Sequence, residues 1–529
     1  MPDRLSDTVN VKDWGALGTG GATDDTTKIQ AAIDYCINTL QGGTVFFPPG
    51  TYNVSVLKVG SDTSTIGVRL VGSGKHGTVI TGGPSTPGPL GFLISKYDRT
   101  YDNIECIEGL TIRGKSTLGC GAIRITANTV NGAVVPNCAS IINVIPKGAV
   151  GIDCSTAVGV FLRDIGEFAG PPNRPPHLGG PVPGHVGVYL GTGCTLCESR
   201  IQGGMDICYA LSGYGAGIIG GVASEVSRTG VRVGWRPNAT TGLGEEAPAY
   251  GCTVQAFQTE RDDIGIDLYN CTGGFISGST ITGTSGPFSA PSPVTQVSWV
   301  PGTQLVTVET TSPHNIGSPG AIVVVQMISQ PASYYPPTSS IGVVVATVTD
   351  STHFTYPGVT VAPTPNPSRG GSWTYPQKYG IRCRKVYDTV IMGVDFQEAS
   401  SIANVDLEYD GAADHRNNTM VACSAGSHGF KLPTTTPKNL SAWKFIATGK
   451  PLMVDFPPTT ATVVPNPVGK LTFAGLPAAP MEGMEFDISD SPVAATAANF
   501  GANVTTGGGT GASAHVKVRY DGTNWKISG

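Results

Sequence analysis

The chain reads as an all-β protein: a β-helix of short stacked strands, capped by one helix near its start and carrying two smaller β units. Three observations predict this. A four-residue unit (a small residue, an apolar one, any residue, an apolar one) recurs roughly every 25 residues. One amphipathic helical pattern stands near the N-terminus, and nothing helical follows it. Finally, 73 glycines and only 13% charged residues in 529 favour frequent turns over long surface helices.

The opening stretch reads VNVKDWGA, TDDTTKIQAAIDYCINTL and GGTVFFPPGTY: strand, helix, strand and a hard turn. Asp24 or Asp25 is placed to cap the helix, because a short side-chain oxygen accepts a free backbone N–H there. Ile29, Ile33, Cys36, Ile37 and Leu40 then form one apolar stripe. Gly42 and Gly43 end the helix, residues 44–47 are β-prone, and residues 48–50 turn the chain. A lone amphipathic helix needs a β surface to cover. The exposed first coil of a strand stack needs such a cover to keep its core dry and its edge unpaired.

The repeating unit appears as AIRI at Ala122, GIDC at Gly151, GVYL at Gly187, GMDI at Gly204 and GVRV at Gly230, then as GIDL at Gly265, GIRC at Gly380 and NVDL at Asn404. Period two turns its second and fourth residues inward and its third outward. Stacking then aligns Arg124, Asp153, Tyr189, Asp206, Arg232, Asp267, Arg382 and Asp406 in one outward column. Coils about 4.8 Å apart let opposite charges pair along such a column, a structural ladder. The functional alternative is a sugar-binding face, with Tyr189 stacking on a ring while Arg232, Asp267 and Arg382 bond hydroxyls.

A second strand family lies between these units: GVFLRDIGEF, GCTVQAFQTE, GGFISGSTIT and DTVIMGVDFQE. Three members carry Glu167, Glu260 and Glu398 at or next to their last residue, with Asp262, Asp263 and Asp395 close by. Glycosidic-bond chemistry needs paired carboxylates, although single ones are also ordinary turn residues. Glu260 and Glu398 end similar strands with one coil between them, so a separation of about 9–10 Å is expected. That favours an inverting acid–base pair over a retaining one, with Asp262, Asp263 and Asp395 as alternates.

From about residue 284 to 376 the pattern breaks into antiparallel-type strands between Pro-rich flanks, read as a small inserted β domain. His314 and His353 fall in its turns and are expected to be solvated; Tyr334, Tyr335, Tyr356 and Trp373 are its candidate glycan contacts. The regular coils fade after Glu408, and the last of them end by residue 431. A Pro/Thr-rich connector follows, and the tail alternates through Val516, Val518 and Tyr520, turns at Asp521–Gly522 and returns through Trp525. The cysteines, such as Cys154, Cys208, Cys252 and Cys383, sit in strand-like alternation and are expected to be buried thiols. Cys194 and Cys197 form a single CxxC without a second pair, and there is no dense Asp cluster of calcium-loop type; no metal or cofactor is expected. A net charge of −5 argues against a nucleic-acid partner. No run of eighteen apolar residues suggests membrane insertion, and MPDRLSDTVN lacks the apolar core of a secretion signal.

The stretch VNVKDWGA…TDDTTKIQAAI…GGTVFFPPGTY resembles the N-terminal cap of the pectate-lyase-like right-handed parallel β-helices, a group that includes bacteriophage tailspikes and polygalacturonase-like enzymes. The tail, with its GM…D…GGG…YDG..W pattern, resembles the compact β module that closes many phage tail fibres and spikes. Together these imply a cap at 1–52, β-helix at 53–283, an insertion at 284–376, the last coils at 377–431, and a connector with C-terminal β module at 432–529. They also imply a homotrimeric tailspike of a virion tail or baseplate, made in the host cytoplasm, attached to other phage tail proteins. Such a protein would bind a bacterial surface polysaccharide and depolymerise it, by hydrolysis rather than elimination. The alternatives are a non-enzymatic receptor-binding or structural spike, and a free bacterial polysaccharide hydrolase or lyase.

Overall fold

Parallel strands laid one coil above the next form a β-helix with three faces. The computed structural model describes residues 7–60, 67–88, 90–97, 106–126, 128–130, 133–135, 139–166, 182–202, 205–224, 229–260, 264–282, 292–300, 303, 305–311, 314, 322–326, 343–344, 347–357, 368–369, 372–374, 379–396, 403–407, 415–425, 430–431, 443–446, 454–455, 485–491, 514–521 and 523–527. The first face stacks Leu57–Val59, Phe92–Tyr97, Gly121–Thr126, Val150–Cys154, Val182–Leu190, Met205–Leu211, Thr229–Val233, Ile264–Thr272, Tyr379–Tyr387 and Ala403–Leu407. The second runs from Thr8–Asn10 through Gly43–Phe47 and Val68–Gly72 to Asn418–Val421 and Trp443–Ile446. That last pairing carries the ladder past residue 431, into the stretch read as a connector. The third includes Gly50–Val54, Thr78–Gly82, Thr111–Arg113, Thr280–Thr282 and Asp395–Phe396.

Two of the three corners are single residues in the left-handed conformation. Between the first and second faces stand Gly159, Gly193, Gly215, Gly251, Gly273, Asp388 and Asn417; between the second and third stand Gly109, Asn143, Asp164, Glu198, Gly220, Ala256, Gly278, Gly393 and Ala422, all at positive φ. Glycine takes this conformation freely and Asn or Asp at modest cost, while Glu198 and Ala256 are held there by the pairing on either side. The third corner, from the third face back to the first, has no such restraint. The inserted sheet enters there, between Thr280–Thr282 and Tyr379–Tyr387, whereas the hairpins Asn128–Val130 with Ala133–Val135 and Trp235–Pro237 with Gly244–Glu246 follow first-face strands.

The small residue of the repeating unit has a steric cause. A Cβ on Gly151 would lie 2.4 Å from the Gly187 carbonyl oxygen, and one on Gly187 would lie 2.5 Å from that of Cys208. The inward residues Ile94, Ile123, Ile152, Val188, Tyr209, Val231, Ile266, Ile381 and Val405 form a continuous dry core. The cysteines join it: Cys36, Cys154, Cys208, Cys252 and Cys383 are buried thiols outside any disulfide, and burial pushes the Cys36 thiol up to about 11.

At the N-terminal end, the helix Thr26–Asn38 buries Ile29, Ala32, Ile33 and Cys36 over the first coil, packing on Gly43–Phe47 and Leu57–Val59. The capping is divided between the two aspartates. Asp24 accepts the Thr26 backbone N–H at 2.9 Å, whereas Asp25, 1% exposed, turns away to accept Leu17 and Gly18 N–H groups. The insertion forms an antiparallel sheet between Ser292 and Thr374. His314 is not solvated: it is 2% exposed and packs edge-on against Phe354 at 5.5 Å, and burial pushes its pKa down. His353 opens the strand His353–Pro357, its Nδ1 at 2.9 Å from Asp350. Tyr356 is 1% exposed and so offers no glycan contact; Tyr334 and Tyr335 lie outside the described residues. The tail contributes a three-stranded antiparallel sheet, Glu485–Ser491, Ala514–Tyr520 and Trp525–Ile527, turning at Asp521.

Candidate functional site

The outward column of the first face is a ladder of buried charge. Its register runs Arg124–Asp153–Tyr189–Ala210–Arg232–Asp267–Arg382–Asp406. Ala210, not Asp206, fills the fourth place, because the strand Met205–Leu211 carries two frames of the same parity and its neighbours select CYAL over GMDI. Asp206 lies four residues earlier, where it accepts the Gly184 N–H at 2.8 Å.

Asp267 is 0% exposed and meets three guanidinium groups, from Arg232 at 3.0 Å, Arg382 at 2.8 Å and Arg384 at 3.1 Å. Burial pushes its carboxyl up, but Arg382, then Arg232 and Arg384, more than offset this and hold it below the usual value. Aromatic rings lie against these cations: Arg232 sits 4.3 Å from the Trp235 ring centroid and Arg384 4.6 Å from that of Tyr269, whose hydroxyl donates to Glu246 at 2.7 Å. The hairpin Trp235–Pro237 and Gly244–Glu246 supplies part of this lid. Its tip meets the loop at Gly119, where a Cβ on Gly242 would lie 2.6 Å from the Gly119 Cα. Tyr189 is 1% exposed among Phe92, Val150, Val186, Ile207 and Ala210. Its ring is therefore covered and does not stack on a sugar, and Arg232, Asp267 and Arg382 serve one another.

The third face carries carboxylates and cations without a comparable hairpin over them among the described residues. Glu260 ends the strand Thr253–Glu260, half-buried, and accepts from Gln258 Nε2 at 2.7 Å. Its coil neighbours are Ser224 and Thr282, so no like or unlike charge flanks it in register. Asp395 is also half-buried and stacks on Thr280, which stacks on Gln258. Asp395 is thus two coils and two residues from Glu260, roughly 12 Å between Cα atoms on the usual strand spacings. Glu398, Asp262, Asp263 and Glu167 lie outside the described residues. Nearer the cap, the same face turns basic. Arg113 and Lys147 are direct register partners, and burial together with Arg113 pushes the Lys147 ammonium below its usual value. Lys75 pairs with Asp164 at 3.2 Å beside them. Four coil steps separate the Lys147 strand from that of Glu260, about 19 Å. Sequence reasoning passed over this basic end, since Arg113 and Lys147 meet only through the register. No group of three His, Cys, Asp or Glu able to hold a metal occurs among the described residues.

Residues 8–165, the cap and first coils, match the family model described as rhamnogalacturonase A/epimerase, pectate lyase-like. Mannuronan C5-epimerase AlgE3 of Azotobacter vinelandii is 51% identical over 74 residues, which is 13% of this chain and 4% of that protein. Alginate lyase 7 of the same organism is 50% identical over 74 residues, 13% of this chain and 8% of its own length. Both matches therefore span a small part of the relatives. Among solved structures, tailspike protein 2 of Escherichia coli O157:H7 bacteriophage CAB120 aligns with 98% of this chain and 60% of its own, at 14% identity and a TM-score of 0.40. A tailspike of E. coli bacteriophage HK620, in complex with a pentasaccharide, aligns with 84% and 65% at 12% identity and a TM-score of 0.44. At that level these two likenesses say nothing about chemistry.

Proposed function

We propose that this chain is a tailspike that binds a bacterial surface polysaccharide along its third face and hydrolyses it there. The observation that carries this reading is the outer surface of that face. Among the described residues it carries the basic pair Arg113 and Lys147 toward one end and the half-buried Glu260 and Asp395 toward the other. Glu260 is one half of an inverting pair, and the second carboxylate comes from Glu398, Asp395, Asp262 or Asp263. The acid protonates the glycosidic oxygen as the bond to the anomeric carbon breaks; the base takes a proton from the water that attacks the opposite face. The basic end suits an acidic glycan.

Incubation of the purified chain with capsule, O-antigen, exopolysaccharide and alginate should release new reducing ends from at least one of them. Glu260→Gln should abolish that release and spare binding. Unsaturated uronates in place of saturated ends would replace hydrolysis by elimination. Full activity of the variant would remove Glu260 from the mechanism.

The second face supports the homotrimer. From Thr195 to Val421 its outward residues, among them Ile219 (47% exposed) and Met392 (40%), carry no charge. A long uncharged strip with exposed apolar residues among its polar ones fits association with further copies, and a monomer in sedimentation would exclude it. The second reading, a free bacterial polysaccharide enzyme, is favoured by the identity to an epimerase and a lyase of Azotobacter vinelandii.

A further inference from the structure

The corner between the first and second faces places one residue per coil just before the left-handed position. In consecutive coils these residues are Tyr214, Tyr250, Thr272, Tyr387 and Arg416, in direct register. The following backbone N–H of each coil bonds the carbonyl of the next: Gly215 to Tyr250 at 2.7 Å, Gly251 to Thr272 at 2.8 Å, Gly273 to Tyr387 at 2.9 Å and Asp388 to Arg416 at 2.7 Å. Four unbroken bonds fix the spacing of the side chains at the coil repeat, about 4.8 Å.

Tyr214 and Tyr250 are exposed, 64% and 37%, and their rings stack at 4.6 Å and 14°. On the far side, the Arg416 guanidinium lies 5.8 Å from the Tyr387 ring centroid and is held by Asp388 at 3.1 Å. The outer faces of Tyr250 and Tyr387 are therefore backed, by a ring and by a cation. Register sets Tyr250 and Tyr387 on either side of Thr272, whose side chain is too short to fill the place a third ring would take. Two coil steps put the two rings about 9–10 Å apart. A pyranose ring between two aromatic rings needs nearly that distance, and its C–H faces present weakly positive hydrogens to the negative ring faces.

We infer that Tyr250 and Tyr387 clamp a single pyranose ring over Thr272, forming a glycan-anchoring subsite separate from the third face. Such a clamp grips the apolar face of the sugar and leaves its hydroxyls to water, to the tyrosine hydroxyls and to Arg416. It rests on the reading that the chain engages a glycan, and not on cleavage. The sequence signal was present: a tyrosine precedes the corner residue in Tyr214–Gly215, Tyr250–Gly251 and Tyr387–Asp388.

Saturation-transfer NMR with cellohexaose and an alginate hexasaccharide tests it on the full chain. The wild type should transfer saturation to ring C–H protons of at least one probe. Tyr387→Ala should weaken that binding about tenfold or more, as loss of a stacking face predicts. Thr272→Tyr is the sharper variant, because it completes the tyrosine ladder and fills the slot without removing a ring. It should abolish the transfer while the thermal midpoint is held or raised. Transfer unchanged in both variants, or absent from the wild type for both probes, overturns the clamp. Release of reducing ends from a surface polysaccharide is read separately. A chain that cleaves while Thr272→Tyr changes nothing loses the clamp and keeps the proposed activity; a chain that binds through the clamp and cleaves nothing keeps the clamp alone.

Discussion

The first and third faces of this β-helix carry similar side chains on similar strands, and use them in opposite ways. On the first, Asp267 is wholly buried among Arg232, Arg382 and Arg384, with Trp235 and Tyr269 packed over the cations. On the third, Glu260 accepts a hydrogen bond from Gln258, and Arg113 stands opposite Lys147 with like charge. The backbone does not cause the difference, since both faces are parallel ladders of the same pitch. The lid does. The hairpin at Trp235 and the loop at Gly119 cover the first face, and a covered charge has to be paired or it costs several kcal/mol. The third face has no comparable hairpin among its described residues, and Lys147, Glu260 and Asp395 there are half-buried rather than sealed.

The strongest way to break this comparison is Asp267→Asn. The amide keeps the shape but leaves three guanidinium groups together without their carboxylate. Loss of one partner from a buried charge cluster costs about 3–5 kcal/mol, to be read as a lowered midpoint in denaturant or heat. The pH dependence has a definite sign. Because the folded-state pKa lies below 3.8, the Asp267 contribution is complete above that value and is lost as pH falls through the lowered folded-state value. Acid unfolding of the wild type should therefore include a component below pH 3.8 that the Asn variant lacks. A variant as stable as the wild type would mean that the ladder is ornamental and that the two faces do not differ in kind.

Much of this was legible in the sequence, and what was missed has physical causes. The cap could be read because its helix has one apolar stripe and nothing else to pack on. The coils could be read because inward apolar residues recur with a small residue that close packing at Gly151 and Gly187 demands. The Asp206 frame failed because Met205, Ile207, Tyr209 and Leu211 alternate equally well in two registers, and only the strands on either side choose between them. Burial of Tyr189 was invisible for a related reason: its cover includes Ala210 and Trp235, which come from later coils. The carboxylates of the third face were aligned by their distance from the strand end. The structure counts from the corner instead. Glu260 is the fourth residue after Ala256, and Asp395 is the second after Gly393. Corners such as Glu198 and Ala256 leave no mark in the sequence, because these residues are ordinary elsewhere.

The mildest test makes the same chemical change on the third face. Glu260→Gln, like Asp267→Asn, exchanges a carboxylate for an amide of equal shape. Here the group is half-buried, its one described bond comes from the Gln258 amide, and its register neighbours are the uncharged Ser224 and Thr282. The Gln carbonyl can still accept that bond, so neither an orphaned donor nor an unpaired buried charge is created. Surface changes of this kind stay within about 0.5 kcal/mol, so the denaturation midpoint should scarcely move. The two amide variants measured side by side then separate stability from activity. If Glu260 acts on a glycan, its variant loses cleavage at unchanged stability, whereas Asp267→Asn loses stability first. A loss above about 2 kcal/mol for Glu260→Gln would show that this carboxylate is held as tightly as Asp267, and the contrast between the first and third faces would fail at its centre.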